Sequence, residues 1–358
     1  MHEEQNLRDL TVNTQKLDAV LPLMLRDYAR FEILQKSLKV FFKDLGKFWV
    51  VTLDHEFDQI KSLISDEQYC VISESSLVPE FKIFTSSSRF SLFRSLPGWF
   101  KQQVIKIAIA DKIETDFYIT LDADVICTRP VCYGDLIRDG RAICYIHRTH
   151  EHPDWYGWVE KVLKMNSRSR DFLHNVTPVV INKHAMLELQ TYLTQVYHAK
   201  PSLKPRDLKV TALKFLTLFL PKSSKLRDQF ALKQRDVKVF GLKLLTAFLP
   251  KDSALRSQLL SWKSYLSVAD PWTEYGLYYI FLEETNRFDK YHVETTDCIY
   301  TQEDSVWYQG DFESWNVEKV FCPESSHFFV IVQGWLNLDI QNVWQKVGRY
   351  LNENQPVK

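Results

Sequence analysis

The sequence predicts an α/β protein, a mostly parallel sheet flanked by helices, and three observations predict it. Apolar runs of strand length alternate with stretches whose apolar residues recur at three- and four-residue spacing, the pattern of strand–helix–strand units. One run, Asp116-Phe117-Tyr118-Ile119-Thr120-Leu121, is rich in β-branched and aromatic residues, as a strand covered on both faces is. The chain of 358 residues is 45% hydrophobic, enough to bury the core of one large or two intermediate domains.

Taken in order, residues 17–23 read as a short apolar strand, followed by Arg26-Asp27 and a helix over residues 31–42. Residues 48–53 and 69–72 are the next strands. A Ser-rich loop at residues 86–88 leads to a helix over residues 99–111, and the strand at residues 116–121 runs directly into Asp122-Ala123-Asp124. Residues 142–146 and 178–181 continue the strand series, the second leading into a helix from about Lys183. The aromatic-rich short elements of the last hundred residues, including residues 328–332, read as completing the same core.

An internal duplication interrupts this pattern. Arg206-Asp207-Leu208-Lys209-Val210 returns as Arg235-Asp236-Val237-Lys238-Val239, a period of 29 residues. Each copy reads as an amphipathic helix, a proline stop and a second short helix. Residues 200–263 hold 15 Lys and Arg against 4 Asp and Glu, a net of +11 in a chain whose formal charge is +0. The predicted division is therefore a core over residues 1–198, a basic helical insertion over 199–264, and the rest of the core over 265–358. Apolar stripes at Leu208, Ala212, Phe215, Phe219 and at Val237, Gly241, Leu244, Phe248 give each helix one apolar face. Residues 206–262 could then lie on an anionic membrane surface, or the stripes could pack on each other or on the core.

The balance of 45 basic and 45 acidic residues gives no pointer to nucleic acid. No run approaches the ~18 apolar residues that span a bilayer, and residues 1–20 are polar, so the expectation is a cytoplasmic protein, peripheral on the inner membrane face if the basic segment docks there. The 6 cysteines form no Cys-x-x-Cys pair and read as free thiols.

The chemistry concentrates at Asp122 and Asp124. On an extended backbone, residues one apart project to the same side, so the two carboxylates face one cavity while small Ala123 points away. Such a pair suits a hard divalent cation, Mn²⁺ or Mg²⁺, whose other ligands are phosphate oxygens. The alternative is a turn or a solvated strand end. Burial argues against that alternative, because unpaired carboxylates beside a core strand cost several kcal/mol. Gln102 and Lys106 lie four apart on one helical face, where they reach a nucleotide or merely face solvent. Glu274 sits among Trp272, Tyr275, Tyr278 and Tyr279, where desolvation suits a general base; a carboxylate in a helix first turn is the other reading.

The stretches Pro97-Gly98-Trp99-Phe100-Lys101-Gln102-Gln103-Val104-Ile105-Lys106, Asp116 through Val125, and Arg129-Pro130 resemble GT-A nucleotide-sugar transferases, in particular a poorly characterised bacterial glycosyltransferase-like group. Val176-Thr177-Pro178, Trp272-Thr273-Glu274-Tyr275-Gly276-Leu277-Tyr278 and His327 fit the same group. The resemblance implies a Rossmann-like GT-A fold and transfer of a sugar from a nucleotide-diphosphate donor to a glycan or lipid-linked acceptor. It implies that Asp124 binds the metal directly, that Asp122 binds it through water or holds the ribose, and that His327 completes the metal site. Arg26, Gln102 and Lys106 fall on the donor side, with Glu274 as base. Two other classes stay open: a metal-dependent nucleotidyltransferase, and a non-catalytic carbohydrate- or membrane-binding protein. With only 10 Gly, no glycine-rich phosphate loop is present.

Overall fold

In the computed structural model, the described residues are 15–85, 98–145, 153–167, 176–198, 249–268, 272–296 and 298–352, together with Leu242 and Thr246. The strands among them are β1 (Leu17–Leu23), β2 (Leu45–Thr52), β3 (Tyr69–Ser73), β4 (Phe117–Thr120), β5 (Val125–Cys127), β6 (Ile137–Arg138), β7 (Arg141–Tyr145), β8 (Val179–Asn182), β9 (His292–Thr295) and β10 (Phe329–Ile331). The helices that matter to the site are α1 (Tyr28–Phe41), α2 (Gly98–Ala108), α3 (Lys183–His198), α4 (Glu274–Glu284) and α5 (Ile340–Val347).

The central sheet has the order β3-β2-β1-β4-β8. Its first four strands run parallel and β8 runs antiparallel to β4. All seven residues of β1 are buried because the strand is central and covered on both faces. The two-residue alternation of strand side chains divides the core accordingly. Ala19, Leu21 and Ile119 pack on one side with Phe31, Leu34 and Leu38 of α1 and Val343 of α5. Val20 and Tyr118 pack on the other with Ile107 of α2, Leu189 of α3 and Leu277 of α4. The expected mostly parallel sheet flanked by helices is therefore present.

The elements at residues 142–146 and 328–332 were expected to complete that core; the part of them that is described forms smaller sheets beside it. β7 lies between β6 and β9, and β10 pairs antiparallel with β5. Of the basic duplication, the described residues include only Leu242, Thr246 and residues 249–264; the expected repeat of two helices otherwise lies outside them. No helix among the described residues is long and apolar enough to cross a membrane.

At the amino-terminal edge of the sheet, Asp18 is 2% exposed. Its Oδ1 accepts the Lys47 N–H at 2.9 Å and its Oδ2 accepts the Glu114 N–H at 3.0 Å. Glycine at position 46 is a requirement of this arrangement, since a Cβ there would lie 2.4 Å from Asp18 Oδ1.

Candidate active site

β4 ends at Thr120, and the chain turns through Asp122, Ala123 and Asp124 before β5 begins. The Val125 N–H donates to the Asp122 carbonyl at 3.2 Å, so the pair sits on a turn. The alternation argument for an extended Asp-x-Asp therefore does not apply, although both carboxylates line one cleft. That cleft has a volume of about 800 Å³ and opens at the carboxyl edge of the parallel strands, where α/β folds bind ligands. Its walls include Arg26, Arg30, Trp99, Gln102, Thr177 and Trp335.

Asp122 is fixed on two sides. Its Oδ1 lies 3.0 Å from Lys106 Nζ, and its Oδ2 accepts a short hydrogen bond from the Thr177 hydroxyl. Lys106 is itself buried and lies 3.2 Å from Glu274 Oε1 and 3.5 Å from the Tyr275 hydroxyl. Burial works to lower the Lys106 pKa, but Asp122, Tyr275 and Glu274 outweigh it and hold the ammonium charged. Burial raises the Glu274 pKa, against the opposing pull of Lys106.

Asp124 accepts the Gly334 N–H at Oδ2 (2.9 Å), and its own carbonyl accepts the Val332 N–H at 2.8 Å. Burial, and then the charge of Asp122, push its carboxyl up to about 6, with the Gly334 N–H and Arg30 pulling the other way. A carboxylate whose charge is disfavoured by burial and by a neighbouring carboxylate is a fitting place for a divalent cation. Protein groups already hold one oxygen of Asp124 and both of Asp122, so the pair supplies few ligands. No group of three or more His, Cys, Asp or Glu able to hold a metal occurs among the described residues. The donor set therefore fits a cation whose remaining ligands come from a bound diphosphate.

The other residues expected at the site divide clearly. Gln102 and Arg26 reach the cleft, Arg26 with its side chain 75% exposed. Lys106, one helical turn beyond Gln102, does not line the cleft; it turns inward onto Asp122. Glu274 does not line it either. It opens α4 behind the Thr273 cap, in the helix first turn, 6% exposed and 3.2 Å from Lys106 Nζ.

His327 is also elsewhere. β10 pairs Phe329 with Cys127, and the Thr128 N–H donates to the Phe328 carbonyl, which sets His327 level with Arg129 at the far end of the ladder from Asp124. At ~3.3 Å per residue that separates the two by about 16 Å along the strand. The imidazole instead contacts the Ser326 hydroxyl (3.1 Å) and the Cys298 carbonyl (3.3 Å) in a second cleft of about 820 Å³. Asp122 and Asp124 thus line one cleft and His327 another.

Thr177, Arg30, Gly334 and Trp335 were not assigned site roles from the sequence. Thr177 had a signal, its place in the Val176-Thr177-Pro178 stretch; the others arrive through chain-distant packing that periodicity does not report.

The fold and site define an α/β protein with a strand-end carboxylate pair. The chain belongs to the family described as Family of unknown function (DUF6492), whose model matches residues 14–355. No curated protein matches it. Among solved structures it is similar to mouse xyloside xylosyltransferase 1 in its apo form (10% identity, TM-score 0.40, covering 90% of this chain and 99% of that one). It is also similar to the galactosyltransferase LgtC with donor and acceptor sugar analogs (14%, TM-score 0.32, 51% and 65%). A further similarity is to 4-diphosphocytidyl-2C-methyl-D-erythritol synthase from Anaerococcus prevotii (12%, TM-score 0.28, 55% and 81%). These are likenesses of fold.

Proposed function

We propose that this protein is a metal-dependent glycosyltransferase that moves a sugar from a nucleotide-diphosphate donor to a glycan or lipid-linked acceptor. The observation that carries the reading is the Asp122/Asp124 pair, facing a cleft of about 800 Å³ at the carboxyl edge of the central strands with two arginines beside it. In this reading Asp124 holds Mn²⁺ or Mg²⁺, with Asp122 beside it as a ligand through water or as a partner of the ribose. The cation would neutralise the charge that develops on the leaving diphosphate.

The chain's own residues contribute position and electrostatics. Lys106 and Thr177 fix the Asp122 carboxylate, so it needs no reorganisation when the donor arrives. Arg26 and Arg30 line the cleft with charge of the sign a diphosphate requires. Gln102 adds a polar group on the same wall. Incubation with a panel of nucleotide sugars and Mn²⁺, beside a second panel of nucleoside triphosphates with sugar phosphates, tests the reading: a glycosyltransferase releases nucleoside diphosphate from the first, a nucleotidyltransferase releases pyrophosphate from the second, and a non-catalytic binder does neither. Loss of the first product on Asp124→Asn is the expected control.

The basic character of residues 206–262 supports a further part of the proposal, a cytoplasmic enzyme that docks on an anionic membrane to meet its acceptor. Liposome co-sedimentation of the whole chain, beside a version with that segment replaced by a short linker, tests it. Equal binding by both versions rules the docking role out.

A further inference from the structure

Large apolar side chains rarely stand in water without a task when they cluster at a cleft. Only four are exposed among the described residues: Leu63, Trp99, Tyr308 and Trp335. Two of these, Trp99 (47% exposed) and Trp335 (63% exposed), line the cleft of the acidic pair, although 236 positions separate them in the chain.

Neither indole hangs on a loose strand end. Trp99 opens α2 and packs edge-on against Phe100 at 5.0 Å, with Trp155 at 6.3 Å. Trp335 stands on a single helical turn, Gly334–Leu336, that is tied down from several sides. The Gly334 N–H donates to Asp124 Oδ2 at 2.9 Å, the Gln333 N–H to the Val306 carbonyl at 3.0 Å, and the Leu336 N–H to the Gln333 carbonyl at 3.2 Å. The residue that carries the ring is thus next in the chain to one that hydrogen-bonds the candidate metal ligand.

We propose that Trp99 and Trp335 form a carbohydrate subsite at the mouth of the cleft, which receives a neutral pyranose ring of the acceptor. This rests on the glycosyltransferase reading and names the class of molecule that meets the donor. A pyranose presents an apolar C–H face that stacks on an indole, while its edge hydroxyls need polar partners. Arg26, Gln102 and Asn337 line the same cleft and supply donors and acceptors. Stacking on an indole needs no charge on the ring, so the ligand class it defines is a neutral pyranose. A rigidly presented indole also gains contact with little loss of side-chain freedom.

Saturation-transfer NMR on the full chain tests the subsite, with methyl β-glucoside, β-galactoside and β-xyloside as probes and uridine and guanosine diphosphates with Mn²⁺ as a separate arm. The expected result is transfer to ring C–H protons of at least one pyranoside, with an affinity at least tenfold lower in Trp335→Ala, largely kept in Trp335→Phe, and nucleotide affinity within twofold of wild type. Thermal melts of both variants confirm that the fold is intact. Three results overturn the proposal: no pyranoside signal in the wild type, equal affinity in Trp335→Ala, or loss of nucleotide binding in that variant with the sugar unaffected, which would make the indole a nucleobase platform. Failure of the nucleotide arm in the wild type strikes the glycosyltransferase reading instead, so the two failures are separable.

Discussion

Both edges of the central sheet carry acidic residues, and they are built for opposite ends. At the amino-terminal edge Asp18 is fully enclosed, and each carboxylate oxygen accepts a backbone N–H across a stretch of glycine-dependent close packing. At the carboxyl edge Asp122 and Asp124 are only partly buried, stand side by side, and open on a cleft lined with arginine and tryptophan. A buried carboxylate whose bonds are complete is a fastener. Asp124, with one oxygen held by the Gly334 N–H and its pKa raised by burial and then by Asp122, keeps a binding capacity that Asp18 and the doubly held Asp122 do not. The distinction lies in satisfaction, not in burial alone.

The largest expected effects are on stability. Asp18→Ala leaves two partly buried N–H groups without their acceptor, and a loss of about 2–4 kcal/mol in urea unfolding is expected. Lys106→Met tests whether the carboxyl edge has a fastener of its own, because it strands Asp122 beside buried Glu274. A loss of about 3–5 kcal/mol is expected here, partly recovered in the double variant with Glu274→Gln. If the lysine variant were as stable as wild type, the buried ion cluster would not be holding the edge together.

Asp124→Asn should act the other way: nucleotide affinity in Mn²⁺ falls at least about 100-fold by calorimetry, while the fold stays intact. Unchanged affinity would remove Asp124 from the metal site and erase the contrast with Asp18.

The raised pKa of Asp124 sharpens this with pH. Its folded carboxyl titrates at about 6, above the ordinary 3.8, so the folded state holds a proton that the unfolded chain has lost over that interval. Without metal, this group's contribution to stability therefore declines as pH rises from about 4 to about 6. Metal binding requires the ionised form, so Mn²⁺ affinity should fall as pH drops through about 6. The melting temperature of apo wild type minus that of Asp124→Asn, measured across pH 4 to 8, isolates the term; a flat difference contradicts it.

Much of this was legible before the fold was known. The strands at residues 17–23, 116–121 and 178–181 and the helix from about Lys183 follow from local periodicity, and Asp122 and Asp124 stand where a core strand ends. Other features depend on contacts between distant segments. Glu274 among aromatic residues has the composition of a tuned base; Lys106, 168 positions earlier, makes it an ion-pair partner. Residues 328–332 are plainly a strand, but only the pairing of Phe329 with Cys127 reveals that His327 leaves the acidic pair while Gly334 and Trp335 approach it. Register is a two-strand property, and a single strand's sequence does not carry it.

The smallest expected effect separates the two clefts, which differ little in volume. Several side chains that line the one around His327 already have partners, such as Lys319 on Asp304 at 2.6 Å with the lysine 58% exposed. Solvated pairs of this kind contribute little, so Lys319→Ala should barely move the urea midpoint. His327→Ala should leave Mn²⁺-dependent nucleotide affinity within about twofold, since the strand register sets the two residues about 16 Å apart along the strand. A tenfold or greater loss in calorimetry, with an unchanged melting temperature, would show that the imidazole reaches the metal after all. It would also collapse the division between a cleft placed for binding at the carboxyl edge and one that is merely large.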